Sequence, residues 1–280
     1  MILSWLSGGG EGEHHGGEEM TLGYWIMYHH QDSDAWLGMH LPHIGPFQVG
    51  GLTIDMSITT HVLMLWIAGI LLTLLFWFKF RKYDGNPKGF LSGALETIVL
   101  FIRDEIAIPN MGKSLGLAMT PFLCTMFFFI LTLNLLGLIP IFATATGNIN
   151  VTAGMAIVTF LLTQLYGIKK NGLGGYLSHL VPSGVPVFLL PIMIPIEIMG
   201  LFTKPFALAM RLFANMVAGH TVIYALIGLI IVLGHWAVSF VSIPMAVAIN
   251  FLELFVAFLQ AFIFTMLSAL FIGMSAHGGH

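Results

Sequence analysis

The chain has 280 residues, of which 57% are hydrophobic and only 8% are charged. A soluble domain of this length would carry a charge at about one position in four, so this composition predicts a protein that has lipid as its solvent. The formal net charge of −3 argues against a nucleic-acid partner, which would require a basic surface. The single cysteine, Cys124, offers no internal disulfide and no metal cluster, and we interpret it as a small buried hydrophobe.

The apolar runs predict an all-α, polytopic membrane protein with about five transmembrane helices, since one crossing needs about 20 apolar residues. We expect an N-terminal tail, 1–55, and a single membrane domain, 56–280. The domain should contain spans at about 56–80, 119–140 and 150–168, a broken segment at 185–204, and a hairpin of helices at 205–234 and 240–275. Both hairpin arms exceed one crossing, so they should tilt or line the protein interior.

Two segments depart from a simple span. Phe90–Ile106 carries apolar residues at helical spacing, interrupted by charges, which is typical of an amphipathic helix in the membrane interface; a solvated linker helix is the alternative. The stretch before the hairpin is rich in proline: Pro182, Pro186, Pro191, Pro195 and Pro205. Because proline interrupts helices, we expect a partial or re-entrant segment there, and we place the hairpin turn near Gly234–Pro244.

The basic residues predict the orientation. If the chain has five spans, nine basic residues fall on one side of the membrane: Lys79, Arg81, Lys82, Lys88, Arg103, Lys113, Lys169, Lys170 and Lys204. The positive-inside rule makes that side the cytoplasm. The N-terminal tail is then expected outside the cell and the C-terminus inside.

Three ionisable residues stand out near or within the hairpin: Glu197, Arg211 and Glu253. Such groups are costly inside a membrane and mark functional sites, and an arginine cannot lose its proton to escape that cost. At a rise of about 1.5 Å per residue, Glu197 lies about 21 Å from Arg211 along a continuous helix. Glu253 is on the other arm of the hairpin, and its depth differs from that of Arg211 by about 13 Å at the same rise. We therefore expect the partner of Arg211 on another protein; the alternative is pairing with its own backbone carbonyls and Asn215.

The hairpin brings further polar residues to matching depths. With the turn near residue 236, His220 should lie level with Glu253, and Arg211 with Gln260 or its neighbour. Glu253 and Gln260 share one helical face, whereas Arg211 and His220 are half a turn out of phase. Histidine is suited to proton relay, although a packed, hydrogen-bonded histidine remains the alternative.

Three runs resemble known motifs. Two runs resemble the signature of ATP synthase subunit a: KPFALAMRLFANMVAGH, from Lys204 to His220, and LQAFIF, at Leu259–Phe264. The run NLLGLIP, at Asn134–Pro140, is similar to a further motif of that family. The resemblance covers about residues 50–275 and is most specific around Arg211.

The resemblance implies a stator subunit that carries protons through two offset half-channels to a rotor ring of small hairpin subunits. Arg211 would face the ring carboxylate, flanked by Asn215 and Gln260, and Glu197 would be the acid of the cytoplasmic half-channel.

The outer half-channel pair would be His220 and Glu253. Many bacterial members have the acid at the first position and the histidine at the second, so the two types are exchanged here, as in the mitochondrial kind.

The resemblance also implies partners and a location. These are the c-ring, peripheral-stalk b subunits, the soluble catalytic head indirectly, and the lipid of a bacterial inner membrane. The chain would be no enzyme by itself, because it lacks a G-x-x-x-x-G-K-[ST] phosphate loop. No cofactor and no metal site are expected.

Other classes of function stay open at this stage. A haem electron carrier would use two histidines at one depth, chosen from His61, His179, His220 and His235. A stand-alone ion transporter would usually carry internal repeats, which we do not find. The histidines of the tail could bind a metal, although their irregular spacing favours a solvated segment: His14, His15, His29, His30, His40 and His43.

Overall fold

The structure, a computed structural model, describes residues 35–36, 39–42, 45, 47–49, 52–54, 57–81, 89–139, 142–179, 187–233 and 236–277. Long helices dominate these ranges: α1 (Thr60–Phe80), α2 (Phe90–Phe101), α3 (Ile108–Gly137), α4 (Ile149–His179), α5 (Leu190–Leu233) and α6 (Trp236–His277). A π-helical segment, Ile102–Ala107, joins α2 to α3, and 3-10 turns lie at Ala145–Gly147 and Val187–Leu189.

Four short strands precede α1 in two antiparallel hairpins, Ala35–Trp36 with Met39–His40 and Phe47–Val49 with Leu52–Ile54. These strands were not predicted from the sequence. They lie in the segment that was interpreted as a tail, and they add no further layer to the helical domain in the described residues.

Five helical segments in the described residues are long and apolar enough to cross a membrane: Thr60–Phe80, Phe90–Gly137, Ile149–Tyr176, Pro191–Ile230 and Trp236–Ala276. The predicted fold class, with about five spans and a long C-terminal hairpin, is confirmed. Large apolar side chains face outward on these helices, as Phe78 does on α1 with 73% of its surface exposed, which suits a lipid environment.

A sharp kink at Gly112 separates the amphipathic segment from the second span. Gly112 has φ 75° and ψ 162°, a region that is open essentially only to glycine. The chain folds back there, so that Gly116 packs on the backbone of Ala107; a Cβ on Gly116 would lie 2.8 Å from the Ala107 carbonyl oxygen. Residues 90–111 thus form an arm of their own, and their place in the membrane interface stays a prediction.

The predicted break is absent from residues 190–205. α5 begins at Leu190 and continues through Pro195 and Pro205 to Leu233. Likewise, α6 begins at Trp236 and contains Pro244, so the hairpin turn is shorter than predicted. Membrane helices tolerate proline because neighbouring helices and local adjustments satisfy the freed backbone groups. Pro182 and Pro186 lie outside the described residues.

The core lies around α6, against which α3, α4 and α5 all pack. Leu123, Phe127, Leu212 and Phe264 are almost completely buried there. These large side chains fill the space beside α6 and hold α3 and α5 against it.

Polar contacts fix α4 against α6. The hydroxyls of Thr159 and Ser268 are 3.2 Å apart. Further along, Ser275 Oγ donates to the Thr163 carbonyl at 2.9 Å, and Asn171 Nδ2 donates to the Ser275 carbonyl at 3.0 Å. Such hydrogen bonds hold helices together in lipid, where no hydrophobic driving force acts between them.

Candidate functional site

α5 has one face toward the core and one face away from it. Its buried stripe repeats every fourth residue: Leu208, Leu212, Met216 and His220. The opposite stripe is exposed and consists mostly of small residues around Arg211: Ala207, Ala214, Ala218 and Val222. Nine residues correspond to about 2.5 helical turns, so Arg211 and His220 point in opposite directions, as their spacing predicted.

Arg211 is exposed and makes no hydrogen bond or ion pair with the residues that the structure describes. The alternative partner, Asn215, is engaged elsewhere, because its Nδ2 donates to Gln260 Oε1 at 2.9 Å. Arg211 therefore presents a positive charge on the open face of the hairpin.

Gln260 lies on the buried face of α6, with 1% of its surface exposed. It was predicted to lie level with Arg211, but the residue that it contacts is Asn215, one turn further along α5. Asn215 itself is exposed. The Asn215–Gln260 hydrogen bond thus connects the face that carries Arg211 with the interior of the hairpin.

His220 and Glu253 meet inside the hairpin. His220 Nδ1 lies 2.5 Å from Glu253 Oε1, and the two side chains are 8% and 3% exposed. Their predicted match in depth is confirmed. The close approach depends on Gly219, since a Cβ at that position would lie 2.6 Å from Glu253 Oε1.

The other neighbours of His220 are mainly hydrogen-bond acceptors. Nε2 lies 2.9 Å from the Gly137 carbonyl oxygen and 2.8 Å from Thr144 Oγ1, while Nδ1 is also 3.1 Å from the Met216 carbonyl oxygen. A carbonyl can only accept a hydrogen bond, so both sides of the ring favour a protonated nitrogen. The carboxylate of Glu253 can balance the resulting charge, and the pair can share a proton along the Nδ1–Oε1 contact.

Glu197 does not lie near the other predicted site residues. It is half-buried near the start of α5 and makes no polar contact with a described residue. Fourteen residues of continuous helix place it about 21 Å from Arg211, and about 3.9 turns leave both residues on a similar side of α5.

Besides the Met216 carbonyl of its own helix turn, three neighbours of His220 were not predicted. Gly137 contributes a backbone carbonyl, Thr144 lies in the loop before the 3-10 turn, and the Tyr224 ring lies edge-on to the imidazole with centroids 6.1 Å apart. Gly137 lies in the NLLGLIP run, and Thr144 opens the polar run between two apolar spans, but neither signal points to His220. The distance of 76 residues along the chain between Thr144 and His220 gave no indication of a contact.

The surroundings of His220 argue against its use as a haem ligand, because both of its ring nitrogens already face protein atoms within 3.1 Å. The side chain of His179 and all of His235 lie outside the described residues. Of the tail histidines only His40 is described, and it is exposed. The described residues contain no group of three or more metal-ligating side chains.

The fold and the site define a polytopic membrane protein that holds ionisable groups among its spans. Its long helices are apolar, His220 and Glu253 form a buried histidine–carboxylate pair, and Arg211 lies on the open face of the hairpin. Residues 62–273 match the family model described as ATP synthase A chain. The chain belongs to this family, and it is a membrane-embedded subunit of the Fo sector of an ATP synthase.

Curated relatives support this assignment. The chain is similar to ATP synthase subunit a of Myxococcus xanthus, with 57% identity over 81% of this chain and 75% of the relative. It is 49% identical to the subunit a of Anaeromyxobacter dehalogenans strain 2CP-C, over 93% of this chain and 72% of the relative. The subunit a of Chlorobium phaeobacteroides is 50% identical, over 97% of this chain and 80% of the relative.

Proposed function

We propose that this chain is the proton-translocating stator of the synthase, with two offset half-channels and Arg211 between them. The observation that carries the proposal is Arg211 itself, which is exposed and without a polar partner among the described residues. An arginine at the centre of a membrane helix costs about 3 kcal/mol on insertion scales. A carboxylate of a rotor ring would offset that cost and give the charge its function.

The outer half-channel ends at His220 and Glu253. Their contact can hold one proton, and Glu253 Oε2, which has no partner in the described part of the chain, is available to pass it on. The inner half-channel involves Glu197, on a similar side of α5 as Arg211 but about 14 residues nearer the cytoplasm. Asn215 and Gln260 link the open face to the interior between these levels.

Proton flow then turns the ring. A proton from outside reaches Glu253 and neutralises a ring carboxylate, which can move into lipid at little cost. After nearly a full turn the carboxylate releases its proton past Glu197 and pairs with Arg211, which also blocks direct leakage between the half-channels. Each charge that crosses is worth about 2.3 kcal/mol per 100 mV of membrane potential.

The same proposal sets the partners and the orientation. The subunit contacts the c-ring and peripheral-stalk b subunits, and it carries out no ATP chemistry, which belongs to the soluble head. The excess of Lys and Arg on one side supports a cytoplasmic C-terminus and an outer N-terminus in a bacterial inner membrane.

The proposal is tested with the whole synthase complex in vesicles. Arg211→Ala should reduce ATP-driven proton pumping to background, because the ring carboxylate loses its fixed counter-charge. Lys204→Ala is the matched control: Lys204 is a cation of the same helix that lies 5.9 Å over the Phe271 ring, and its removal should leave at least half of the pumping. The amount of this subunit in each purified complex reports assembly. Pumping near the normal rate by an assembled Arg211→Ala complex would remove Arg211 from the mechanism.

A further inference from the structure

Thr144 connects the loop between α3 and α4 to the buried pair. Its Oγ1 lies 2.8 Å from His220 Nε2 and 3.5 Å from the Gly137 carbonyl oxygen. Thr144 is half-buried, whereas His220 is buried. Thr144 therefore lies between the interior pair and the surface of the loop.

Thr144 and Gly137, which both contact Nε2, differ in chemistry. The Gly137 carbonyl can only accept a hydrogen bond, so it stabilises Nε2 when that nitrogen carries a proton. The Thr144 hydroxyl can both donate and accept, so it can accept from a protonated Nε2 or donate to a bare one. Of these two groups, only the Thr144 hydroxyl can donate a hydrogen bond to a bare Nε2.

We propose that Thr144 is the hydrogen-bond partner through which His220 Nε2 takes up and releases a proton on the outer side. This inference rests on the proposed function, because it assigns a further proton-transfer residue to the same outer half-channel. Its Oγ1 donates to Nε2 in one state of the ring and accepts from Nε2 in the other.

The uptake step balances without a charge on the hydroxyl oxygen. A hydronium ion of the outer aqueous phase forms a new O–H bond with Thr144 Oγ1, while the original Oγ1–H bond breaks and an Nε2–H bond forms. The hydronium ion becomes water and His220 becomes an imidazolium. Its positive charge lies beside the Glu253 carboxylate, which can then accept the Nδ1 proton. Release to the outside is the same step in reverse.

The test measures ATP-driven proton pumping by the whole complex in vesicles, per assembled complex. Thr144→Val keeps the size and branching of the side chain but removes the hydroxyl, and we expect pumping to fall about five- to tenfold, which corresponds to one lost hydrogen bond. Thr144→Ser keeps the hydroxyl and should retain at least half of the pumping. If the branched side chain had a purely structural role, the order of pumping rates would be the opposite, and Thr144→Ser would pump less than Thr144→Val.

Two further variants make the outcome specific. Thr152→Val removes another buried threonine hydroxyl near the same loop, one that donates to the Ile149 carbonyl at 3.1 Å, and should leave pumping within twofold of normal. His220→Gln should abolish pumping. If His220→Gln pumps normally, the proposed outer half-channel fails. If His220→Gln is inactive while Thr144→Val pumps normally, or if Ser is as impaired as Val, only the role of Thr144 is overturned.

Discussion

At residue 219 the lack of a side chain allows Glu253 to reach His220. A Cβ there would lie 2.6 Å from Glu253 Oε1 and 2.8 Å from its carboxyl carbon, closer than side-chain atoms pack. The carboxylate would have to move away from the imidazole to make room. Gly219 is therefore a determinant of the His220–Glu253 contact although it carries no functional group.

Gly219→Ala should reduce ATP-driven pumping by about tenfold or more, because a displacement near 1 Å at a reacting group can cost up to about a hundredfold in rate. The matched control is Gly200→Ala on the same helix, where an added Cβ meets nothing within 4 Å. The control should pump normally. Equal pumping by both variants, at equal assembly, would contradict the importance of this close approach.

The pairing of His220 with Glu253 could be predicted from the sequence alone, but the other neighbours of His220 could not. His220 and Glu253 could be paired from the depth of a hairpin, because both arms rise at the same rate per residue. Gly137 and Thr144 could not, since a backbone carbonyl has no signature and the loop returns to α5 in a way that only the folded chain determines. The same limit explains why Gln260 was matched to Arg211 and not to Asn215.

Among the elements, the arm of residues 90–111 depends on one backbone conformation. Gly112 has φ 75° and ψ 162°, which costs about 1–3 kcal/mol for any residue with a side chain. The arm packs back on α3 only with that kink in place. Gly93 lies in α2, where an added Cβ meets nothing within 4 Å, and provides a matched position without this constraint.

Gly112→Ala should lower the thermal unfolding midpoint of the detergent-solubilised complex or the amount of subunit that assembles, because alanine is strained at this position. Gly93→Ala should leave both unchanged or improve them, since alanine is the better helix former. A Gly112→Ala complex as stable as the Gly93→Ala complex would show that the kink can relax at no cost.

Helix ends were the least predictable elements. Pro195, Pro205 and Pro244 were taken as breaks, yet each lies inside a long helix. A proline removes one donor, but the surrounding helices can satisfy the freed carbonyls, so the apolar pattern on both sides decides whether the helix continues. The number of spans depends on apolar length alone and was predicted correctly for that reason.

Across the whole molecule, the C-terminal hairpin separates two kinds of chemistry. The buried side of α5 packs on α4 and α6 and carries His220, which contacts Glu253 of α6, whereas its open side carries Arg211 among small and apolar residues. In the proposed function, the buried side moves protons through the stator and the open side meets the rotor. The central claim is therefore that the Arg211 face contacts the ring.

Disulfide cross-linking tests this claim most directly, because two cysteines form a bond only when their Cα atoms lie within about 7 Å. In a Cys124→Ser background, Ala214→Cys on the open face is compared with Ala257→Cys, which is fully buried in α6. Each is combined in the whole complex with a cysteine beside the rotor carboxylate, oxidised, and analysed for a product that joins this subunit to a ring subunit. The account predicts that product for Ala214→Cys and none for Ala257→Cys. The reverse pattern, or no product from Ala214→Cys in an assembled complex, would contradict it.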